Sequence, residues 1–375
     1  MFRSFKKIPL LILPLLAPSI SYCEDVREDM RSVYSAFEKL QGYIANPQAF
    51  EDLKNHDEIL ALLRTISDNF KKVDHQESRF KGEVGFEPTL QLVQDILNDA
   101  IKRFEEGKAF YTLWRMRGLS NNCVSCHATH NVALHFESKD NLASNLTSLE
   151  RGNFYLATRQ FDKAQAAFVE ALKSKDSSAD NLEVLRKWLI VETRVKPKPE
   201  HARIALQGYL RELKLTAYEK AEIERWIKSF KGWEESKEGA PNFAQAQRLI
   251  RKSISMDPLN PWTDEVTLLR ATAQMQSVMP TLKRAEYSQA LYLLGASYVK
   301  LSAYFVDELP EFYLRLCIDL SPGSDEAKAA FKLYEDSVTA AFSGSHGTHI
   351  PSDIKVTLME LYKKAYGIPV FDGKI

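Results

Sequence analysis

The chain has 375 residues, in which 50 Lys and Arg balance 50 Asp and Glu and leave no formal net charge. That balance excludes the strongly basic surface on which nucleic-acid and anionic-membrane binders rely. The length exceeds what one hydrophobic core usually organises, so two or more domains are expected.

Arg3, Lys6 and Lys7 precede an apolar run from Ile8 to Leu16, interrupted at Pro9 and Pro14, and Pro18, Ser19 and Ser21 then lead to Cys23 and the polar pair Glu24-Asp25. This is the order of a secretory signal peptide over residues 1–23, and the run is too short for a membrane span. Cleavage after Cys23 puts small side chains at both specificity positions, Ser21 and Cys23. Acylation of Cys23 as a lipoprotein anchor is disfavoured by bulky Tyr22. Losing Arg3, Lys6 and Lys7 leaves 47 basic against 50 acidic residues, a net charge of −3. No later apolar run is long enough to cross a bilayer, so the mature chain is expected to be soluble and periplasmic.

Residues 24 to 140 have helical periodicity. Val26, Met30, Val33, Phe37, Leu40 and Ile44 draw one apolar stripe at alternating three- and four-residue steps. Pro47 separates it from a second stripe, Leu53, Ile59, Leu60, Leu63, Ile66 and Phe70. Lys71 to Pro88, with His75, Gly82 and Gly85, reads as a loop. A third stripe takes Leu90, Val93, Leu97, Ile101 and Phe104. Gly107 breaks it before Phe110-Tyr111-Thr112-Leu113-Trp114, and Gly118 with Ser120-Asn121-Asn122 marks a turn. The expectation is three or four antiparallel helices.

At the end of this segment stands Cys123-Val124-Ser125-Cys126-His127. Two thiols two residues apart, followed directly by histidine, form the attachment pattern of a covalent c-type haem. The two sulfurs reach the vinyl groups on one edge of the porphyrin, and the imidazole falls under the iron. The pentapeptide also admits a Cys123–Cys126 disulfide, or a zinc site completed by His127 and His130. Without Cys23, only Cys123, Cys126 and Cys317 remain, which excludes a disulfide framework.

An exported chain carrying CxxCH resembles the bacterial c-type cytochromes, whose haem is attached outside the cytoplasm. The resemblance implies one haem, held through Cys123 and Cys126, with His127 as proximal iron ligand. Over residues 24 to 135 the layout is similar to the four-helix-bundle cytochrome c-prime class, which carries CxxCH on its last helix. In that class the last helix runs unbroken into the motif, whereas a turn at Gly118 to Asn122 interrupts it here. The class places a first-helix residue over the other face of the iron. Met30 occupies that place and is the candidate distal ligand, although a methionine on an apolar stripe also serves as core filler. His56, His75, Met116, His130 and His135 are weaker candidates, and an open distal face is the remaining option. A class I cytochrome would need a later methionine, and Met279 stands about 150 residues on.

Beyond residue 145 the pattern changes to short paired helices. Gly152, Tyr155, Ala164, Phe168 and Ala171 resemble the signature of tetratricopeptide (TPR) repeats, in which small residues let two helices approach and aromatic ones fill the gap. Asp176 stands where the closing proline is expected. Ala246, Ile250, Ile254 and Pro258 resemble half of a further unit. Leu294-Gly295, Tyr298, Leu314, Cys317 and Pro322 resemble another, with about three extra residues between its helices. Leu206 and Trp226 are expected as packing residues, and Cys317 as buried packing. A solenoid over residues 145–343 implies a concave docking face for a protein partner. Residues 344–375 read as a flexible joint, with His346 and His349, followed by a capping helix from Ser352 to Ala365 that buries Ile354, Leu358 and Leu361.

The fold class expected is therefore all-α, a helical haem bundle followed by a TPR-like solenoid. The function expected is one-electron transfer by an exported monohaem cytochrome, with the repeats docking a redox or assembly partner. The alternative is a haem-based gas or redox sensor with an open distal face. A peroxidase is disfavoured because no distal His/Arg pair is in view, so no enzymatic activity is expected.

Overall fold

A computed structural model describes residues 21–76, 84, 86–129, 145–174, 180–236, 238–254, 263–302, 305, 309–345 and 347–368; at 21–27, 74–76, 125, 126, 128 and 129 it describes the backbone path alone. Residues 1–20 of the signal segment, Asp176, Pro258, His130, His135 and His346 lie outside the described residues, as do Gly82 and Gly85. The fold is all-α, with sixteen α-helices and one two-stranded ribbon among the described residues. No described helix is long and apolar enough to cross a membrane.

The first five helices are α1 (Ser21–Ile44), the short α2 (Pro47–Glu51), α3 (His56–Gln76), α4 (Phe86–Glu105) and α5 (Ala109–Thr129). Here α1, α3, α4 and α5 pack in sequence as an up-and-down bundle. The apolar stripes explain the arrangement. Phe37, Leu40 and Ile44 of α1, Ile59, Leu63 and Ile66 of α3, and Leu90, Val93, Leu97 and Phe104 of α4 are all buried. Gly107, at φ +77, makes the break between α4 and α5 that its sequence position predicts.

Three details of the bundle differ from expectation. Leu53 leaves the second stripe: it sits exposed in a 3-10 turn, Leu53–Asn55, capped by the Asp52 carboxylate. The stretch from Lys71 to Pro88 is not all loop. α3 continues to Gln76 because Val73 extends its buried face, and α4 starts at Phe86 because a proline in a first helical turn forfeits no hydrogen bond. Finally, Gly118 to Asn122 is helix, so α5 runs unbroken into the cysteine motif. Leu113, Met116, Leu119 and Val124 keep a continuous buried stripe across it, which outweighs the roughly 1 kcal/mol that a helical glycine costs.

The second half is a series of helical hairpins. α6 (Ser148–Ala157) and α7 (Phe161–Lys173) form the first. α8 (Asn181–Ile190) ends in a π turn, Val191–Val195, after which come α9 (Pro199–Glu212) with α10 (Ala217–Glu235), α11 (Phe243–Ser253) with α12 (Glu265–Val278), and α13 (Arg284–Leu301) with α14 (Pro310–Leu320). α15 (Asp325–Ala341) and α16 (Ser352–Ala365) close the series.

The same close approach recurs at two hairpins. A Cβ on Gly152 would lie 2.6 Å from Phe168 Cδ1, and one on Gly295 would lie 2.7 Å from Leu314 Cγ. Only glycine lets each pair of axes come so near. Leu206 and Trp226 are buried as expected. Cys317 is also buried, with its thiol directed at the Ser288 carbonyl 3.3 Å away. The joint before α16 is not a free linker. Ser343 pairs with Thr348 and Gly344 with Gly347 in a minimal ribbon, β1 (Ser343–Gly344) and β2 (Gly347–Thr348), with Gly347 at φ +98. Leu361 of α16 is buried, and Leu358 packs beside it.

One buried apolar cluster runs through both halves. At the junction Tyr34 and Phe37 of α1 meet Phe154 of α6, with ring centroids 5.5 and 5.7 Å apart. Behind α5, Lys187 of α8 donates to Asn121 Oδ1 at 2.8 Å. The π turn packs on α5, α7, α9 and α12 at once. Its Arg194 reaches Thr272 Oγ1 at 2.9 Å and Tyr298 OH at 3.1 Å, tying the junction to later hairpins.

Candidate functional site

The cysteine motif forms the last turn and a half of α5. Cys123 and His127 are four residues apart on this helix, so their side chains share one face. Cys126 and Ser125 are placed by backbone only. Cys123 is half-buried against the core and stands in no disulfide. Burial pushes its thiol up to about 12, so it is held as the neutral S–H. A thiolate metal ligand or redox cysteine has the opposite electrostatics, a depressed pKa beside cations.

His127 is half-buried, and its Nδ1 lies 2.5 Å from the backbone carbonyl oxygen of Ala157. A carbonyl only accepts, so Nδ1 carries the proton and the ring's lone pair is on Nε2. This is the tautomer that a metal-binding histidine adopts when an outer group orients it.

The carbonyl is available because of how α6 ends. The last four carbonyls of a helix lack helical partners. Thr158 N–H donates to Phe154 O at 2.9 Å, Gln160 N–H to Tyr155 O at 2.8 Å, and Arg159 N–H to Leu156 O at 3.3 Å. The last two bonds make a Schellman motif, with Arg159 as its left-handed residue at φ +64. The fourth carbonyl, that of Ala157, accepts from His127. Glycine usually fills the left-handed position; here an arginine does, and it is 7 % exposed.

The expected distal candidates fall at different heights along α5. Arg117 Nη2 donates to Ile44 O at 3.4 Å, near the C-terminal end of α1. Ten residues on, His127 reaches α6 at Ala157, and α6 in turn touches Tyr34, ten residues back from Ile44. α1 and α5 therefore run antiparallel, and His127 and Tyr34 both meet α6. Met30 is half-buried one turn beyond Tyr34 on the same face, about 6 Å further along the axis. His56 lies at the opposite end of the bundle, stacked on Phe104 with ring centroids 4.8 Å apart. Met116 faces the bundle core. The side chain of His75 is outside the described residues, as are His130 and His135, so the zinc set that needs His130 does too. Among the described residues no three His, Cys, Asp or Glu side chains converge on one point.

Sequence reasoning missed Ala157 and Arg159. Their sole sequence signal is position, between the two helices of the hairpin that Gly152 and Phe168 mark. Glu192 in the π turn is a second group that no motif announces. It is buried, and its carboxylate accepts from Gln165 and faces His201 Nδ1 at 3.2 Å. Burial raises its pKa, opposed by His201. Compared with protein-family models, with curated proteins and with solved structures, the chain matches none.

Proposed function

We propose that this chain is an exported monohaem c-type cytochrome that carries single electrons, and that its helical hairpins are TPR-like repeats that dock a protein partner. The observation that carries the reading is the 2.5 Å contact between His127 Nδ1 and Ala157 O, on the helix that also presents Cys123. A histidine oriented in this way through Nδ1 is what haem ligation at this motif would use. Two further observations support it. α5 enters the motif without a break, as the last helix of the c-prime class does. Cys123 stands in no disulfide, as thioether formation requires.

In attachment each thiol adds across one vinyl double bond. Sulfur bonds to one carbon, the thiol hydrogen ends on the other, and no oxidant is consumed. When bound, the haem supplies the Fe(II)/Fe(III) couple. Cys123 and Cys126 would hold it against α5, His127 would ligate the iron, and Met30 is the residue proposed as its second ligand. The buried faces of α1, α5 and α6 limit water at the site, which sets the potential together with the axial histidine.

The test is haem that survives denaturing gel electrophoresis after expression with a haem-attachment system. The wild type should show it, and a Cys123→Ala, Cys126→Ala double variant should not. Failure to find it in the wild type would leave a zinc or disulfide site as the meaning of the motif.

A further inference from the structure

The proposed haem site takes one of its determinants from the second half of the chain. We infer that Arg159 is a positioning residue: by occupying the left-handed position of the α6–α7 turn it ends α6, leaves the Ala157 carbonyl to accept from His127 and so sets the strength of the histidine ligand. This inference rests on the haem reading above.

The geometry carries it in three steps. The Schellman bonds from Arg159 and Gln160 take Leu156 O and Tyr155 O and end α6, so the Ala157 carbonyl accepts from His127 instead of from a further helical N–H. That carbonyl lies at the negative end of the α6 dipole, which strengthens its pull on the Nδ1 proton. A more strongly held proton makes Nε2 a better electron donor and favours Fe(III), which lowers the potential. The turn is also anchored on its far side. Gln160 Nε2 reaches Thr158 Oγ1 at 3.0 Å and Tyr34 OH at 3.4 Å, so α1, the turn and His127 form one connected unit. A left-handed non-glycine residue is strained. It persists only where its surroundings fix it, and such outliers cluster at functional positions.

The experiment compares Arg159→Gly, Arg159→Ala and Arg159→Val in the full-length, haem-loaded protein. All three lack the guanidinium, so differences among them report the backbone alone. Glycine accepts φ +64 without strain, alanine accepts it at some cost, and a β-branched residue resists it most. Two quantities are read: solvent exchange of the His127 Nδ1 proton by NMR of the reduced protein, and the midpoint potential. Exchange should quicken in the order Gly, Ala, Val, reaching about tenfold between the ends, as loss of one hydrogen bond allows. The potential should rise in the same order. If the three variants are alike in both readouts, the turn geometry has no such role and the inference falls. If valine does not fold, the ordering of glycine and alanine still decides. Wild-type protein without covalent haem would instead sink the proposed function, a result the same preparation reveals first.

Discussion

His127 and Ala157, 30 residues apart in the chain, are joined by a 2.5 Å contact from an imidazole nitrogen to a helix-terminal carbonyl. The contact makes the first helical hairpin of the second half a wall of the cysteine-motif site. Changes at the end of α6 therefore reach the histidine directly through this hydrogen bond.

Thiol counting separates the readings of the motif. Cys317 is buried, and burial pushes its thiol up to about 11, so it should resist alkylation at pH 8 in the folded protein. In the mature, haem-loaded protein no thiol should label under native conditions, and one should label after denaturation. Three labelled thiols after denaturation, without prior reduction, would mean that Cys123 and Cys126 carry neither thioether nor disulfide.

The glycines make a graded prediction. Gly152→Ala forces a methyl into the ring of Phe168, and Gly295→Ala does the same to Leu314. Both partners are fully buried and cannot swing away. Overpacking of about 1–3 kcal/mol should outweigh the ~1 kcal/mol that alanine gains in helix propensity. Gly118 has open space around the position of its Cβ, so Gly118→Ala should stabilise by about 0.5–1 kcal/mol. Urea unfolding of the three variants checks the signs, and a destabilised Gly118→Ala would contradict the continuous α5.

These glycines also show what was legible from sequence. Gly152 and Gly295 were readable because a repeat needs a small residue at one fixed place. Gly118 was misread because a glycine next to Ser120-Asn121-Asn122 imitates a turn, and only the tertiary stripe of Leu113, Met116, Leu119 and Val124 overrides that local preference. Cys123 and His127 stand out in the sequence because the CxxCH pattern has a fixed spacing, and α5 puts them on one face. Ala157 was not, because a backbone carbonyl has no residue type. Arg159 was hidden for the opposite reason: it stands where glycine would have signalled a helix end.

Glu265 gives the chain a pH-dependent stability. Burial pushes its carboxyl up to about 7, nearby Glu222 adds to the rise, and the Trp226 Nε1–H, 3.3 Å away, opposes it. The folded state therefore holds a proton between pH ~4.5 and ~7 that the unfolded state has lost. Stability from this group is greatest below the unfolded value, falls as pH rises through about 7, and is level above it. At ~1.4 kcal/mol per unit the loss is on the order of 3 kcal/mol. Glu265→Gln should gain that much at pH 8 and little at pH 4.5 in urea unfolding. An unchanged pH slope in the variant would place the titration elsewhere.

The far side of the iron is tested at Met30. α1 runs antiparallel to α5, and Met30 stands one helical turn before Tyr34, on the face that Tyr34 and Phe37 turn towards α6. If Met30 ligates, the wild type is low-spin and six-coordinate, and Met30→Ala becomes high-spin and binds CO in the reduced state. A wild type that is already high-spin and takes up CO would remove Met30 from the ligand set. That outcome would turn the functional reading from electron transfer to gas binding while leaving Cys123, Cys126 and His127 as they stand.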